Sequence, residues 1–417
     1  MTYSNGARVE LTGLSVELED RIKPITDEMN AKPLRVNRKT WEKNIKAAEE
    51  EVDILLDFCR QLAHDSSFRP NSPADCAQVL FTKKGIKPPR ISKVTGRPST
   101  DADTLTELAY QGISLAGGIL DARSGISQLG QLKKWKSYAD YGCVQTLWNS
   151  LGAPHGRYTS QNPSLTNRIP AIRETIEPDP GFSFLSLDLA QAEFITWVSL
   201  SGDLTLGEAF LAGKDFHEET AASIKEIVPS WNLNGHQPRE AGKTLNFAIL
   251  YQMTEWALAM KLGCSVETAA EIIKAYYARA KTASRYIDKT LALAKRTGYV
   301  QTYYGRRRYC HEYQNGLSDR EAHEWEKSLW NHVCAGTSAE IVKWKTVRIW
   351  EALRQFGFTP NQVRVSLNVF DEAIFMVRDD LLPEVGEIVS EIWKRKEVGF
   401  LQFNSDVKIG KTWKECS

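Results

Sequence analysis

The chain has 417 residues, 42% of them apolar and 25% charged, and its formal net charge is +1. This composition is ordinary for a globular protein, and it excludes a uniformly basic nucleic-acid binder. Single cores stop growing at roughly 250 to 300 residues, so we expect two or three subdomains. The sequence contains no run of about 18 apolar residues and no signal peptide, which predicts a cytoplasmic protein with no membrane partner.

Metal and disulfide motifs based on cysteine are missing from the sequence. The seven cysteines are scattered, with no CxxC pair and no HExxH segment, so we expect neither a zinc site nor a disulfide framework. Basic residues do cluster, and the clusters are Lys83, Lys84, Lys87, Arg90, Lys93 and Arg97, then Lys133, Lys134 and Lys136, then Arg306, Arg307 and Arg308. Each cluster taken alone is better explained as a solvated face.

The first third of the chain is predicted to be helical. Apolar residues recur at three- and four-residue steps over residues 41–63, which predicts a long amphipathic helix. Two prolines in the segment 68–73 end the pattern, and a basic segment rich in Gly and Pro follows at 83–100. Helical periodicity resumes over residues 101–140.

The remaining two thirds mix strands and helices. Residues 182–189 alternate apolar and polar side chains and predict a strand that carries Asp188 near its end. We predict helices over 239–262 and 266–296, and a hairpin-like stretch over 298–309. Two apolar runs, 363–369 and 373–377, predict a β-hairpin with Phe370, Asp371 and Glu372 at its turn.

Asp188 and Asp371 are the most informative acidic residues. Each lies at the end of a predicted strand in apolar surroundings, where desolvating a carboxylate costs several kcal/mol unless a cation balances it. The alternative is that each aspartate caps a turn, which is the commoner role for one such residue alone.

The helix that begins at Arg239 lies between these two aspartates in the sequence. Arg239, Lys243, Phe247 and Tyr251 are spaced four residues apart, and each step of four drifts only about 40° around a helix. Two cations followed by two aromatic rings on one stripe suit a nucleoside triphosphate. The alternative, of equal weight for this helix alone, is a row of cations above an aromatic core stripe.

Several segments together resemble the motifs of the family A DNA polymerases. LSLDLAQAEFITWVSLSGD (185–203) resembles the first carboxylate motif, REAGKTLNFAILYQM (239–253) the fingers helix, and NVFDEAIFMV (368–377) the second carboxylate motif. Supporting matches are GRYTSQNPSLTN (156–167), DFHEETAA (215–222), GYVQTYYGRRRY (298–309), AGTSAEIVK (335–343) and DVKIGKTWKE (406–415). The motifs stand in the family's order, from about residue 14 to the end.

The resemblance implies an α+β, right-hand polymerase fold with an antiparallel-sheet palm and helical thumb and fingers. It places a palm segment at 1–40, the thumb at 41–154, palm at 155–205, fingers at 206–330 and palm at 331–417. It implies a DNA-directed DNA polymerase that extends a primer 3′ end by two-metal phosphoryl transfer. Primer–template DNA and deoxynucleoside triphosphates are the expected partners, with accessory replication proteins in addition, and we expect a monomer in a bacterium or a virus-infected host cell.

The resemblance also assigns roles to residues of this chain. Two Mg²⁺ ions, replaceable by Mn²⁺, are expected on Asp188, Asp371 and the backbone carbonyl of Leu189, and Lys243 is expected to protonate the leaving pyrophosphate. Nucleotide contacts are expected from Arg239, Lys243, Phe247, Tyr251, His217, Glu193 and Gln191, with Glu193 excluding ribonucleotides. DNA contacts are expected from Arg157, Asn167, Arg306, Arg307, Arg308 and Asn331, and from the basic residues of 83–136.

This sequence departs from the family's pattern at several matched positions. Gln252 replaces a glycine after the fingers-helix tyrosine, Phe370 replaces a histidine before the second carboxylate, and Ala335 replaces a glutamine that reads the minor groove. Because most of the lost groups are hydrogen-bond donors, we expect weak sensing of mismatches. The alternative, which the sequence leaves open, is that the glycine replacements alter how freely the fingers helix closes. The chain begins where the family's polymerase region begins, so we expect no nuclease activity.

Three other functions remain open from the sequence. A related RNA polymerase is disfavoured by Glu193, whereas nothing in the sequence excludes reverse transcription. A catalytically weak, polymerase-like DNA-binding module is disfavoured because both aspartates and the Arg239 and Lys243 pair are intact. A small-molecule nucleotide enzyme is remote, since there is no GxxxxGK[ST] or GxGxxG loop.

Overall fold

The computed structural model describes residues 1–92, 95–166, 169–314, 316–403 and 405–416. The chain divides into two compact units. The first comprises residues 1–35, 144–168 and 176–417, and the second comprises residues 36–143 and 169–175. The second unit covers most of the segment expected to be the thumb, and the other expected subdomain boundaries stay predictions.

Helices and antiparallel strands both occur, as the α+β prediction requires. The helices are α1 (Leu14–Ala31), α2 (Arg38–Ala63), α3 (Pro73–Ala77), α4 (Ala102–Tyr110), α5 (Ser114–Lys134), α6 (Lys136–Tyr141), α7 (Pro170–Thr175), α8 (Ala192–Ser201), α9 (Leu204–Leu211), α10 (Phe216–Ile227), α11 (Pro238–Leu250), α12 (Glu255–Leu262), α13 (Val266–Arg279), α14 (Lys281–Thr297), α15 (Asp319–Gln355) and α16 (Leu382–Trp393). The strands are β1 (Arg8–Leu11), β2 (Leu34–Val36), β3 (Cys143–Val144), β4 (Leu147–Asn149), β5 (Thr159–Gln161), β6 (Ile176–Glu177), β7 (Phe182–Leu189), β8 (Tyr299–Gln301), β9 (Arg306–Tyr309), β10 (Val363–Val369), β11 (Glu372–Arg378) and β12 (Ser405–Gly410). In the described part of the chain, no helix combines the length and apolar character that a membrane span needs.

The first unit is built on a four-stranded sheet with the order β10-β11-β7-β12. β11 is antiparallel to both β10 and β7, and β12 is antiparallel to β7. All seven residues of β10 are buried, and β7 and β11 are buried along most of their length, because α15 and α16 contact the sheet. The strand predicted at 182–189 is confirmed with the same bounds.

A smaller three-stranded sheet in the same unit has the order β1-β9-β8. β9 carries the arginine run and pairs antiparallel with β1 and with β8, which confirms the hairpin predicted over 298–309. Gly305, at φ +110, precedes β9, and a Cβ there would lie 2.1 Å from the carbonyl oxygen of Thr12. Only glycine fits at this close approach.

The second unit is a helical cluster in which α2 packs against α5. α2 starts at Arg38, three residues before the predicted start, because the Asn37 side chain accepts a hydrogen bond from the Thr40 backbone N–H and caps the helix. A Cβ on Gly125 of α5 would lie 3.2 Å from Leu55 of α2, so the glycine permits the close approach of the two helices.

Three predicted helices are divided in the structure. The predicted helix 239–262 breaks into α11 and α12 at Tyr251–Met253, where Gln252 has a φ of +49°. The predicted helix 266–296 divides into α13 and α14 at Ala280, and helical residues 101–140 form α4, α5 and α6. Apolar periodicity runs through each break, so the pattern alone does not reveal them.

Candidate functional site

The β10–β11 hairpin brings the two candidate carboxylates to one edge of the sheet. Its turn consists of Phe370 and Asp371, whereas Glu372, which was predicted to lie in the turn, is the first residue of β11. Glu372 pairs with Asp188 in the β11–β7 register. The Leu189 backbone N–H donates to the Asp371 carbonyl oxygen at 3.1 Å. Asp188, near the end of β7, and Asp371, in the β10–β11 turn, therefore lie at the same edge of the sheet although 183 positions separate them in the sequence.

Backbone strain accompanies this edge. Phe370 has a φ of +60°, as the first position of a type II′ turn requires, and Gln191 and Gln252 have φ values of +57° and +49°. Such conformations cost about 1 kcal/mol or more for residues other than glycine, and they cluster at functional sites. Half of the six non-glycine residues with positive φ in the described chain belong to the carboxylate and fingers-helix motifs.

Oxygen ligands for a divalent metal are present at this edge. Asp188 and Asp371 are both half-buried, so their carboxylates reach solvent. The neighbouring Glu372 is buried and accepts a hydrogen bond from Ser186 at 2.7 Å. Within the described residues, no group of three or more His, Cys, Asp or Glu side chains is arranged to hold a metal. These carboxylate oxygens suit a hard cation, and two such side chains would leave ligand positions open for oxygens of a bound substrate.

Helix α11 presents the predicted stripe. Lys243 is exposed and has no ion-pair partner among the described residues, whereas Arg239 donates from Nε to Asp215 at 2.8 Å. The rings of Phe247 and Tyr251 are stacked, with centroids 6.1 Å apart and planes 10° apart. Tyr251 follows the last residue of α11, so the stripe extends one residue beyond the helix.

His217 lies beside this stripe at the beginning of α10. The Asp215 side chain caps the helix and accepts from the backbone N–H groups of His217 and Glu218 at 2.9 and 3.0 Å. The imidazole is buried, and burial lowers its pKa to about 4. His217 is therefore neutral at pH 7, and the nearby positive charges of Arg239 and Lys243 lower its pKa further.

Glu193, in the first turn of α8, is held by two side chains that the sequence did not connect with it. Arg157 forms an ion pair with one carboxylate oxygen, and the Tyr251 hydroxyl donates to the other. The Arg157 guanidinium also lies 5.3 Å from the centroid of the Phe370 ring. Burial and the adjacent Glu193 carboxylate raise the pKa of Tyr251. This row of contacts links the hairpin turn to the end of α11.

The arginine run does not behave as one DNA-binding group. Arg306 is fully buried, and it forms ion pairs with Glu19 at 2.5 Å and Glu340 at 3.2 Å, while Lys343 lies 2.6 Å from Glu19. A guanidinium in this position is not available to a phosphate, so the prediction that Arg306 contacts DNA is wrong. We call Glu19, Arg306, Glu340 and Lys343 the buried ion cluster. Burial raises the pKa of Glu340 to about 6.

The other residues expected to contact DNA differ in their exposure and in their hydrogen-bond partners. Arg307 is half-exposed and donates to Gln301 at 2.7 Å, and Arg308 donates to the Ser328 carbonyl oxygen at 3.1 Å. Asn331 is half-buried, while Asn167 lies outside the described residues. Gln191 has a buried side-chain oxygen with no hydrogen-bond partner in the described part of the chain.

Many basic residues in the second unit are already paired. Lys83 with Asp65, Arg90 with Asp103, Lys133 with Glu49 and Lys136 with Asp140 form ion pairs of 2.6 to 3.0 Å. Lys93 lies outside the described residues. These pairs are largely exposed, and exposed pairs are weak enough to be exchanged for phosphates.

Comparison with known proteins identifies the family. The family model described as DNA polymerase family A matches residues 38–415. This chain belongs to DNA polymerase family A. It is 33% identical over 373 residues to DNA polymerase I of Chloroflexus aurantiacus, covering 84% of this chain and 38% of that protein. It is 29% identical over 424 residues to the thermostable DNA polymerase I of Thermus filiformis, covering 98% of this chain and 49% of that protein.

A solved structure supports the fold. The POL domain of Pol1 from M. smegmatis, in complex with DNA primer-template and dNTP, superposes with a TM-score of 0.83 at 23% identity. The match covers 95% of this chain and 70% of that chain. The expected right-hand polymerase fold is thereby confirmed. This family A chain spans about half the length, or less, of the curated relatives named above.

Proposed function

We propose that this chain is a template-directed DNA polymerase that adds deoxynucleotides to a primer 3′ end. The observation that carries the proposal is the meeting of Asp188 and Asp371 at one sheet edge, tied by the hydrogen bond from Leu189 to Asp371. Family A membership and the nucleic acid and dNTP in the similar M. smegmatis structure support the same activity.

Family membership implies the use of a divalent metal, and we propose two Mg²⁺ ions, with Mn²⁺ able to replace them. Asp188, Asp371 and the Leu189 carbonyl would hold them. When bound, such ions supply activation of the primer hydroxyl and stabilisation of charge on the transferred phosphoryl group. The two carboxylates supply negative charge at a fixed position, because the strands beside them belong to a buried sheet.

The side chains near this edge would bind and orient the nucleotide. Lys243 would bind phosphate and give a proton to the leaving pyrophosphate, and in support its side chain is exposed and pairs with no carboxylate of the described chain. Arg239 would share its charge between Asp215 and phosphate oxygens. The stacked rings of Phe247 and Tyr251 offer apolar faces to base and sugar.

We propose that Glu193 excludes ribonucleotides. Its carboxylate is fixed by Arg157 on one oxygen and by Tyr251 on the other, so it cannot easily move aside for a 2′-hydroxyl. Arg157 would contact the primer strand. Asn167, Arg307 and Arg308 would contact nucleic acid from segments that match the family motifs, and Asn331 would contact it from α15. The relatives named above are bacterial polymerases, which supports a cytoplasmic location.

Primer extension with purified protein tests the proposal. Wild type should extend a DNA primer on a DNA template with dNTPs and Mg²⁺, and Asp188→Asn should reduce the rate by about 10³-fold or more while duplex binding survives. Asp379→Asn is the matched control, because Asp379 follows β11 at the opposite end of the same sheet. Binding without extension by wild type would instead support a polymerase-like binding module.

A further inference from the structure

A buried chain of hydrogen bonds connects α10, α11 and α13 behind the candidate phosphate site. Asn246 Nδ2 lies 2.9 Å from His217 Nδ1, and the Tyr276 hydroxyl donates to Asn246 Oδ1 at 2.8 Å. His217, Asn246 and Tyr276 are only 3%, 1% and 1% exposed. Water therefore has little access to the contact between His217 Nδ1, the Asn246 amide and the Tyr276 hydroxyl, and these three groups satisfy one another.

The orientation of the Asn246 amide follows from its neighbours. The Tyr276 hydroxyl has no other acceptor among the described residues, so an amide turned end for end would leave a buried hydroxyl hydrogen unpaired, at a cost of about 1 to 3 kcal/mol. The single hydroxyl hydrogen of Thr220 is directed to the Phe216 carbonyl oxygen at 2.9 Å. Thr220 can therefore accept from Asn246 Nδ2, 3.2 Å away. Thr220 Oγ1 also lies 3.3 Å from Asn246 Oδ1, so Thr220 accepts equally well in either orientation of the amide. The Tyr276 hydroxyl therefore decides, and it places the oxygen toward itself and the NH₂ group toward His217.

We propose that Asn246 is a positioning residue that keeps His217 as the neutral tautomer with its hydrogen on Nε2, ready to donate to a triphosphate oxygen. Because Asn246 Nδ2 donates, His217 Nδ1 must accept, which leaves the ring hydrogen on the other nitrogen. Nε2 has no hydrogen-bond partner in the described part of the chain. The phosphate contact itself rests on the proposed function.

The surroundings of the ring favour a neutral donor. The charged groups that act on His217 are Asp215 from the N-cap of α10, and Arg239, Glu240 and Lys243 from α11. Burial outweighs the two carboxylates and lowers the pKa of the imidazole to about 4. A neutral ring gives a hydrogen bond without adding a third positive charge beside Arg239 and Lys243.

The packing of α10 on α11 fixes the position of the ring. A Cβ on Gly242 would lie 1.8 Å from the His217 carbonyl oxygen, so the backbones touch where His217 and Lys243 meet the site. Asn246 follows Gly242 by four residues, one turn further along the same buried face of α11. The helix that carries the phosphate-binding cations thus also carries the group that selects the tautomer.

Nitrogen-15 NMR of the histidines tests the tautomer in the wild-type protein. The shifts should show His217 Nδ1 as the unprotonated nitrogen and Nε2 as the protonated one at pH 7.5, with the signals assigned by their loss in His217→Gln. A protonated Nδ1, or a doubly protonated ring, would overturn the inference. This measurement needs no substitution at Asn246 and therefore stands even if such variants fold poorly.

Asn246→Asp tests the consequence for nucleotide binding. A carboxylate at this position would accept from Nδ1–H, so Nε2 would lose its hydrogen and face the phosphate as an acceptor. We expect dNTP binding to a dideoxy-terminated primer–template complex to weaken about 10- to 100-fold at pH 8, the effect of losing one hydrogen bond to a charged group. Lowering the pH toward 6 should restore binding, because the added carboxylate favours a doubly protonated ring. Wild-type affinity should stay flat over this range.

The controls separate this inference from the proposed function. Tyr276→Phe removes only the group that orients the amide, so dNTP affinity should fall less than in Asn246→Asp, without recovery at low pH. An equal affinity of wild type and Asn246→Asp at pH 8, or a loss that pH does not reverse, would overturn the inference alone. Failure of wild type to bind any dNTP would overturn the proposed function, and the inferred role with it.

Discussion

Two groups of charged residues in the first unit use the same residue types with opposite outcomes. In the buried ion cluster, Glu19, Arg306, Glu340 and Lys343 are inaccessible to solvent or nearly so, and the cations and carboxylates neutralise one another. The two candidate metal-binding carboxylates, Asp188 near the end of β7 and Asp371 in the strained β10–β11 turn, are half-buried. The first group has no route to an external ligand, whereas the second reaches solvent at the edge of a rigid sheet.

The comparison teaches that a motif residue is not necessarily a contact residue. Arg306 belongs to a segment that resembles a DNA-binding motif, yet its partner Glu19 is 287 residues away in the sequence and occupies its guanidinium. A charge is available for binding only if the fold leaves it accessible. The predictions that follow separate stabilising charges from functional ones.

The largest effect on stability is expected in the buried ion cluster. Arg306→Met leaves Glu19 and Glu340 buried without their shared cation, which should lower the free energy of unfolding by about 3–5 kcal/mol. Urea denaturation measures this. Arg307→Met is the matched control, and its loss should stay below about 1 kcal/mol, since Arg307 makes only half-exposed contacts. Equal losses in the two variants would contradict the assignment.

Acid should destabilise the protein because the pKa values of three histidines are lowered in the folded state, and these histidines take up protons on unfolding. Burial lowers the pKa of His332 to about 3 and those of His155 and His217 to about 4. Between the usual value of 6.5 and these values, the unfolded chain binds more protons, so stability falls as the pH falls. Glu340, with a pKa raised to about 6, acts in the opposite direction over a narrower window.

The net loss of unfolding free energy between pH 7 and pH 5 should be about 2 to 4 kcal/mol. Urea denaturation at half-unit pH steps would show the slope, and His155→Gln should make it shallower because one titrating group is gone. A free energy that stays constant from pH 7 to pH 5 would show that these imidazoles titrate normally.

Glu193→Ala should weaken discrimination against ribonucleotides. Removing the side chain opens the space for a 2′-hydroxyl, so the ratio of kcat/KM for dNTP over rNTP should fall by roughly 10- to 100-fold. Glu193→Gln keeps the size while losing the charge that Arg157 neutralises, and it should retain most of the discrimination. Single-nucleotide incorporation kinetics would measure both, and an unchanged ratio in Glu193→Ala would rule out the steric role.

Phe370→Leu should produce the smallest effect. The substitution keeps the strained turn but removes the ring beside Arg157, a contact worth about 0.5–1 kcal/mol, so primer extension should slow about two- to fivefold. Phe370→Tyr keeps the aromatic face and should behave as wild type. If the leucine and tyrosine variants are equally active, the ring does not position Arg157.

Local patterns predicted the elements that depend on local sequence. The strand at 182–189 follows from alternation, the amphipathic helix α2 from helical periodicity, and the β10–β11 hairpin from two apolar runs on either side of its turn. The break between α11 and α12 could not be predicted in this way, because apolar residues continue through Tyr251–Met253. Glutamine, the residue type at position 252, does not ordinarily indicate a positive φ. The Thr254 side chain, which caps α12, was the signal that could have revealed it.

The candidate site was predicted only in part, for a related reason. Sequence resemblance located Asp188, Asp371, Lys243 and Glu193, but side-chain partners from distant segments carry no local mark. The contacts of Glu193 with Tyr251, and of Asn246 with Tyr276, join positions 58 and 30 residues apart. Such pairs become visible only when the fold brings their helices together.

The proposed polymerase activity requires that Asp188 and Asp371 bind divalent metal together with a triphosphate. Titration of Mn²⁺ into the complex of protein, dideoxy-terminated primer–template and dNTP, followed by electron paramagnetic resonance, tests it most directly. We expect two bound ions in wild type and a loss of binding in Asp371→Asn, with Asp379→Asn unchanged. The same stoichiometry and affinity in wild type and Asp371→Asn would contradict it.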